Sequence, residues 1–205
     1  MTENKPSPPI VKDDDYELIQ AINAGQIDLF HDLVRRYDQK LYNFGLRMCG
    51  DAQDTEDMIQ DTFLNVFRYL KDFRHETKFK NWLYRIATST CLKRKRKSKF
   101  APDRELSLEE FIPKEEAAIP TELPKWASEP LDNLLNNELA DVIRAGILSL
   151  PEKYRLVMVL RDVEGFSTAE TAQILNLTAT NVKVRLHRAR LFMREKLKEY
   201  FNHDD

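Results

Sequence analysis

The chain has 205 residues, enough for one large domain or two small ones, and 42% of them are hydrophobic, so a packed core is within reach of either arrangement. No stretch approaches the ~20 consecutive apolar residues of a membrane span, and Met1 to Asp15 lack the basic-then-apolar order of a secretory signal, which predicts a cytoplasmic protein without membrane insertion. The formal net charge of −2 argues against a nucleic-acid partner only if charge is spread evenly, and it is not.

Five glycines, abundant Leu, Lys, Arg, Glu and Ala, and few alternating valine or threonine runs predict an all-α fold. Residues 1–15 are proline-rich and charged, with too little apolar content to offset the entropy of ordering them, and read as a flexible tail. A first domain, a helical bundle over 16–99, opens with Leu18, Ile19 and Ile22. After Gly25 a second helix carries Leu29, Phe30, Leu33, Val34 and Tyr37 and continues through Leu41, Phe44 and Met48. Gly50-Asp51 breaks the pattern. The next helix shows Met58, Ile59, Phe63, Val66, Phe67 and Leu70, with acids in its first turn. A fourth runs from about Phe79 to Lys97, with Trp82, Ile86 and Ala87 as its apolar side and a basic C-terminal half. Cys49 and Cys91 lie far apart in sequence inside apolar helical patterns. They indicate neither a disulfide framework nor a metal knuckle and read as buried small hydrophobes.

Residues 100–137 form an acidic linker, with prolines at 102, 113, 120, 124 and 130. The second domain, 138–202, begins with a helix through Leu139, Val142, Ile143, Ile147 and Leu148. It stops at Leu150-Pro151, resumes with Tyr154, Val157, Met158 and Leu160, and ends at Gly165.

Charge is segregated along this plan. From Arg68 to Lys99 twelve bases face two acids; from Asp103 to Glu138 ten acids face three bases; from Lys183 to Lys198 seven bases face Glu195. Two basic surfaces thus flank an acidic connector. A single basic run is usually a solvated helix face, but two such runs in two modules favour a polyanionic partner.

Ser167 and Glu170 have capping-box spacing at the head of a short helix, Thr168 to Leu175. The break Asn176-Leu177-Thr178 and a long helix from about Ala179 complete helix-turn-helix spacing. In the long helix Val182, Leu186, Ala189, Met193 and Leu197 recur at steps of three and four and pack inward, leaving Thr180, Lys183, Val184, His187, Arg188 and Leu191 outward. A major groove admits one such helix, whose first turns reach base edges while nearby cations neutralise phosphates; Val184 suits a thymine methyl group. A helical hairpin with a solvated basic surface shares the spacing alone. The longer string does not. Leu150-Pro151, Tyr154-Arg155, Leu160-Arg161, Glu164-Gly165, Glu170, Ala172, Leu175 and the run from Asn181 to Arg190 resemble the promoter-binding domain of extracytoplasmic-function (ECF) sigma factors, of the sigma-70 family of RNA polymerase sigma factors. The resemblance implies recognition of the minus-thirty-five element by Thr178, Thr180, Asn181, Lys183, Val184, Arg185, His187 and Arg188. Asn176 stands where the family often has glycine, and asparagine tolerates the left-handed turn.

The first domain supplies a second match. The run from Asp54 to Phe63, with Phe73-Arg74 and Trp82 to Ala87, resembles the same family's promoter-melting domain. The resemblance places Asp57, Gln60, Asp61 and Phe63 against the clamp helices of the largest polymerase subunit, and implies a further contact with the flap of the second-largest. A separated base needs aromatic faces and cations. For the minus-ten element the matching residues are Phe73, Arg74, Lys78, Lys80, Trp82, Tyr84, Arg85, Ser89, Lys93 and Arg96, with Ser89 replacing the family's common asparagine. Phe73 and Tyr84 fit a bundle core as well as a base contact.

The sequence has no glycine-rich phosphate loop, paired cysteines, metal-spaced histidines or nucleophile elbow, so no enzyme, cofactor or metal is expected. The expected partners are core RNA polymerase, promoter DNA and an anti-sigma factor, with the chain itself a monomer. A stand-alone operator-binding regulator explains only the second domain, and an adaptor whose basic faces bind acidic partners would be favoured by weak salt dependence of DNA binding.

Overall fold

Just before the first helix the carboxylates of Asp13 and Asp15, rather than apolar side chains, tie the chain to the rest of the fold. Asp15, buried at the head of α1 (Tyr16–Asn23), accepts hydrogen bonds from the Tyr37 hydroxyl and the Arg36 guanidinium, each at 2.5 Å. Asp13 accepts from the Phe79 amide at 2.5 Å, and the Val11 amide donates to the His75 carbonyl at 2.7 Å. The segment expected as tail therefore carries anchored residues from Val11 onward. The computed structural model describes residues 9–98 and 137–201, by backbone alone at 94–98, 137–138, 199 and 201. The expected acidic linker lies outside the described residues apart from Asn137.

After a 3-10 turn (Ile27–Leu29), α2 (Phe30–Cys49) ends at Gly50, whose φ of +97° is the left-handed stop glycine supplies without strain. Asp51 caps α3 (Ala52–Tyr69) by accepting the Asp54 amide at 2.8 Å. A Cβ at Gly45 would lie 2.7 Å from Met58 Cε and Thr55 Cγ2, so this glycine permits the close packing of α2 on α3. A 3-10 turn (Leu70–Asp72) and a short loop lead into α4 (Phe79–Ser98).

Leu33, Leu41, Phe44 and Met48 of α2, Met58 and Val66 of α3, and Phe79, Leu83, Tyr84 and Ala87 of α4 fill the N-terminal core. On α4 the buried face is rotated from the expected one. Leu83 and Tyr84 point inward, while Trp82 and Ile86 are half-buried. Phe67, read as core, is 49% exposed and stacks edge-on against Phe30.

The C-terminal half comprises α5 (Asn137–Ser149), α6 (Glu152–Met158), a π-helical turn (Val159–Val163), α7 (Thr168–Leu175) and α8 (Ala179–Phe201). Ser167 and Glu170 make the full capping box, and Asn176 takes the left-handed conformation at φ 53°. Val182, Leu186, Ala189 and Met193 are all buried, as their spacing predicts, and Leu197 is half-buried. The described residues hold helices and turns and no strand, which is the all-α fold expected. No helix among them is long and apolar enough to cross a membrane.

The wide π turn aims Asp162 into this core, where its carboxylate receives Arg190 Nε at 2.9 Å and Nη2 at 2.7 Å. Asp162 has no exposed side-chain surface, whereas Arg190 keeps 22% of its own. Removing one member of a buried pair strands the other in low dielectric. Arg190→Ala, which strands the fully buried acid, is expected to cost about 3–5 kcal/mol in urea unfolding. Asp162→Ala should cost less, about 2 kcal/mol, because the guanidinium reaches water.

Candidate nucleic-acid interface

The sharpest surface is built at the head of α8. Thr178 precedes the helix and its Oγ1 accepts the Asn181 amide at 3.2 Å, so a polar side chain ends the turn and starts the helix in one contact. Thr178, Thr180, Asn181, Lys183 and Val184 are exposed; Arg185, His187 and Arg188 are half-buried beside them. The eight residues anticipated for the upstream element thus lie together on the first three turns. Arg188 donates to the Tyr154 hydroxyl at 3.3 Å, which steers its guanidinium along the α6 side of the face. Arg190, two residues on, turns inward to Asp162, so the basic string divides into outward and structural members.

The second set divides differently. Arg74, Arg85, Ser89 and Lys93 are exposed along α4 and the loop before it; the Arg96 side chain lies outside the described residues. Phe73 is 7% exposed, with its ring 4.9 Å from that of Trp82, 5.8 Å from that of Phe79 and 4.6 Å from that of His75. Tyr84 is fully buried, its ring edge-on to Phe44 at 5.3 Å and to Phe166 of the C-terminal half at 4.9 Å. Both aromatics are core residues in this arrangement.

The C-terminal half covers the middle of this set. Its Glu164 carboxylate accepts the Tyr84 hydroxyl at 2.6 Å, and its Glu164 carbonyl accepts Lys80 Nζ at 3.2 Å. Lys80 also sits 4.3 Å over the Phe166 ring, a cation–π contact. Glu170, already the acid of the capping box, accepts from Asn81 at 3.4 Å and lies 3.8 Å from Lys78. Nearby, Arg155 donates to the Met48 carbonyl at 3.0 Å and to the carbonyls of Leu148 and Leu150. Sequence reasoning missed Glu164, Phe166 and Glu170 as interface residues. Their signal was acids beside an aromatic, within a half whose long helix is basic.

A third surface lies on α3. Gln60 is exposed, Asp57 and Asp61 are half-buried and Phe63 faces the core. The same helix exposes Leu64 and Phe67, which continue the stripe of Asp57, Gln60 and Asp61 at steps of three and four, and Tyr69 near its end. Leu64 and Tyr69 were not singled out from sequence and Phe67 was placed with the apolar face, although their large exposed area sets all three apart.

Burial raises the Glu164 carboxyl above the ordinary carboxylate range, against the lowering effects of the Tyr84 hydrogen bond and the nearby Arg47, Lys80 and Lys40. The docked form therefore holds a proton at pH values where a solvated Glu164 has released it. Docking should strengthen as pH falls from neutrality toward the raised value and weaken as pH rises through it. Small-angle scattering across that range should show a smaller radius of gyration at the acid end, a trend that Glu164→Gln flattens. Tyr84→Phe keeps the ring but removes the donor, and is expected to weaken docking by about 1–3 kcal/mol. An unchanged radius in both variants would mean that the contact does not hold the halves together.

Two family models match the chain: Sigma-70 region 2 over residues 33–101, and Sigma-70, region 4 over residues 140–193. The chain is 35% identical over 181 residues to the ECF RNA polymerase sigma factor SigW of Bacillus subtilis, covering 88% of this chain and 95% of that one. It is 29% identical over 184 residues to the RNA polymerase sigma-H factor of Pseudomonas aeruginosa, covering 88% and 92%. Among solved structures it is similar to CnrH in complex with the cytosolic domain of CnrY, with a TM-score of 0.63 and 22% identity over 91% of this chain and 99% of that one. The Bartonella quintana sigma factor RpoE, in complex with the anti-sigma factor NepR, aligns with a TM-score of 0.59 and 21% identity over 82% and 96%. Two sigma-70 modules in the order found here, with a full-length relative at this identity, establish that the chain belongs to the ECF family of RNA polymerase sigma factors.

Proposed function

We propose a division of labour for this ECF sigma factor, which binds core RNA polymerase and directs it to promoters. The carrying observation is the exposed head of α8, a capped helix start bearing Thr180, Lys183 and Val184 with Arg185, His187 and Arg188 alongside. Residues 138–202 form the unit that reads the minus-thirty-five element through this face, with polar and apolar contacts to base edges and cations on phosphates. Residues 16–99 form the unit that engages the minus-ten element through Arg74, Arg85, Ser89 and Lys93 along α4. Phe73, Lys78, Lys80, Trp82, Tyr84 and Arg96 complete that set. The α3 stripe of Asp57, Gln60 and Asp61 docks on the polymerase clamp, with exposed Leu64 and Phe67 adding apolar area and Phe63 supporting the helix from within. Residues 1–15 are the N-terminal tail, tied to the 16–99 unit through Val11, Asp13 and Asp15, and 100–137 act as a tether.

Strand opening on this reading is driven by binding energy, with separated bases captured as they form and no bond made or broken by the protein. Glu164 and Phe166 cover Lys80 and Tyr84, and Glu170 faces the exposed Lys78, so the two units part before the full minus-ten set meets DNA. Each unit binds weakly alone, and tethering raises the effective concentration of the second once the first has bound. The anti-sigma factor NepR bound to the Bartonella quintana neighbour supports an anti-sigma factor for this protein as well. The site of action is the cytoplasm, where polymerase and promoter meet.

Run-off transcription with sigma-free core polymerase and a promoter library should yield new, specific start sites when this protein is added. Tight duplex binding by the protein alone, with no transcript, would indicate a stand-alone regulator instead. Arg188→Ala should weaken holoenzyme binding to the upstream element and reduce the salt slope by roughly one unit. An unchanged slope would remove Arg188 from the phosphate contacts.

A further inference from the structure

Two thiols 42 positions apart in sequence meet between the N-terminal helices. Cys49 Sγ, on the last residue of α2, lies 4.0 Å from Cys91 Sγ on α4. Both are reduced in this structure, Cys91 buried and Cys49 half-buried. They are the only cysteines of the chain, and none of the polymerase or DNA contacts above uses either. No group of three His, Cys, Asp or Glu placed to hold a metal ion occurs among the described residues.

We propose that Cys49 and Cys91 are a reversible disulfide site, closed by a two-electron oxidant of the hydroperoxide class. Two sulfurs at 4.0 Å are in van der Waals contact, and a covalent bond of ~2.05 Å asks them to approach by about 2 Å. Of the two, Cys49 stands where a helix ends, and Gly50 beyond it already leaves α2 in the left-handed conformation. Cys91 is held within α4, so α2 supplies the adjustment.

The difference in exposure sets the order of events. The half-buried Cys49 meets solvent first, and its thiolate attacks the O–O bond of hydrogen peroxide, giving a sulfenic acid and hydroxide. The Cys91 thiolate then attacks Cys49 Sγ; the S–S bond forms, the S–O bond breaks and the departing hydroxide takes a proton as water. In sum two thiols lose two protons and two electrons, and one peroxide becomes two waters. A dithiol of the reducing pool reverses the bridge by exchange. The bridge staples the end of α2 to α4, beside the Met48 carbonyl that receives Arg155.

The test uses the full chain, reduced and then treated with hydrogen peroxide under native conditions, followed by non-reducing digestion and mass spectrometry. Expected are a Cys49–Cys91 linked peptide, loss of both thiols in one kinetic phase, and full recovery on adding dithiothreitol. Cys91→Ser should accumulate a dimedone-trapped sulfenic acid at Cys49, while Cys49→Ser should leave Cys91 largely unreacted at the same dose. If Cys91→Ser loses helicity, Cys91→Ala serves in its place. Linked peptides found only between chains, or oxidation of Cys91 at an equal rate in Cys49→Ser, would overturn the proposal.

Discussion

A fully buried tyrosine carries one polar atom that must be satisfied, and much of this structure is arranged around that constraint at Tyr84. Its ring belongs to the N-terminal core, against Phe44, while its hydroxyl reaches the boundary of that core and donates to Glu164. The partner it selects must bring an acceptor and also cover apolar surface, because Phe166 packs on the same ring. A turn that offers a carboxylate and a phenyl group two residues apart meets both demands. Lys80 then completes the contact from the other side, its charge over Phe166 and its hydrogen bond on the Glu164 carbonyl. One residue thereby couples the packing of the first unit to the position of the second.

The charge pattern takes on a different meaning in this light. The basic run through α4 and the loop before it attracts polyanions, yet in the docked arrangement Lys78 and Lys80 are answered by acidic or carbonyl groups of the C-terminal half. Glu170 serves twice, closing the capping box of α7 and facing Lys78 and Asn81 across the boundary. Burial alone would raise its carboxyl, but hydrogen bonds from the Ser167 backbone and side chain and from Asn81, together with the Lys78 charge, bring it below the ordinary range. Glu164 and Glu170 are therefore shifted in opposite directions within one interface, one sheltered by burial and the other served by donors.

Local physics explains what could be read in the sequence. Periodicity in α8 is clear because most of its outward positions are polar, so Val182, Leu186, Ala189 and Met193 could be assigned inward without any tertiary knowledge. The capping box and the left-handed Asn176 are likewise local signals. On α4 the apolar residues surround the axis, and periodicity chose Trp82 and Ile86 where packing chose Leu83 and Tyr84. Phe67 was hidden for the same reason, since a helix with apolar residues on two faces does not say which one solvent sees. The anchoring of Asp13 and Asp15 and the meeting of Cys49 with Cys91 are non-local, depending on how α2 and α4 pass one another. No window along the chain contains that information. The roles of individual residues toward DNA and polymerase rest on motif resemblance, and the fold adds which of them are exposed on α8, α4 and α3 and which, such as Phe63, Phe73 and Tyr84, are buried.

The π turn at Val159–Val163 has a consequence for heredity. A π turn accommodates one residue more than an α-helical turn, with the Glu164 amide donating to the Val159 carbonyl at 2.9 Å. That extra residue lets neighbouring positions diverge, Asp162 into the C-terminal core and Glu164 out toward Tyr84. Losing a single codon there would restore a regular helix and rotate everything beyond it by roughly a third of a turn. Either the buried ion pair or the docking acid would then face the wrong way. Substitutions can drift through this segment, but its length is fixed, and a lineage that shortened it would have to rebuild both contacts together.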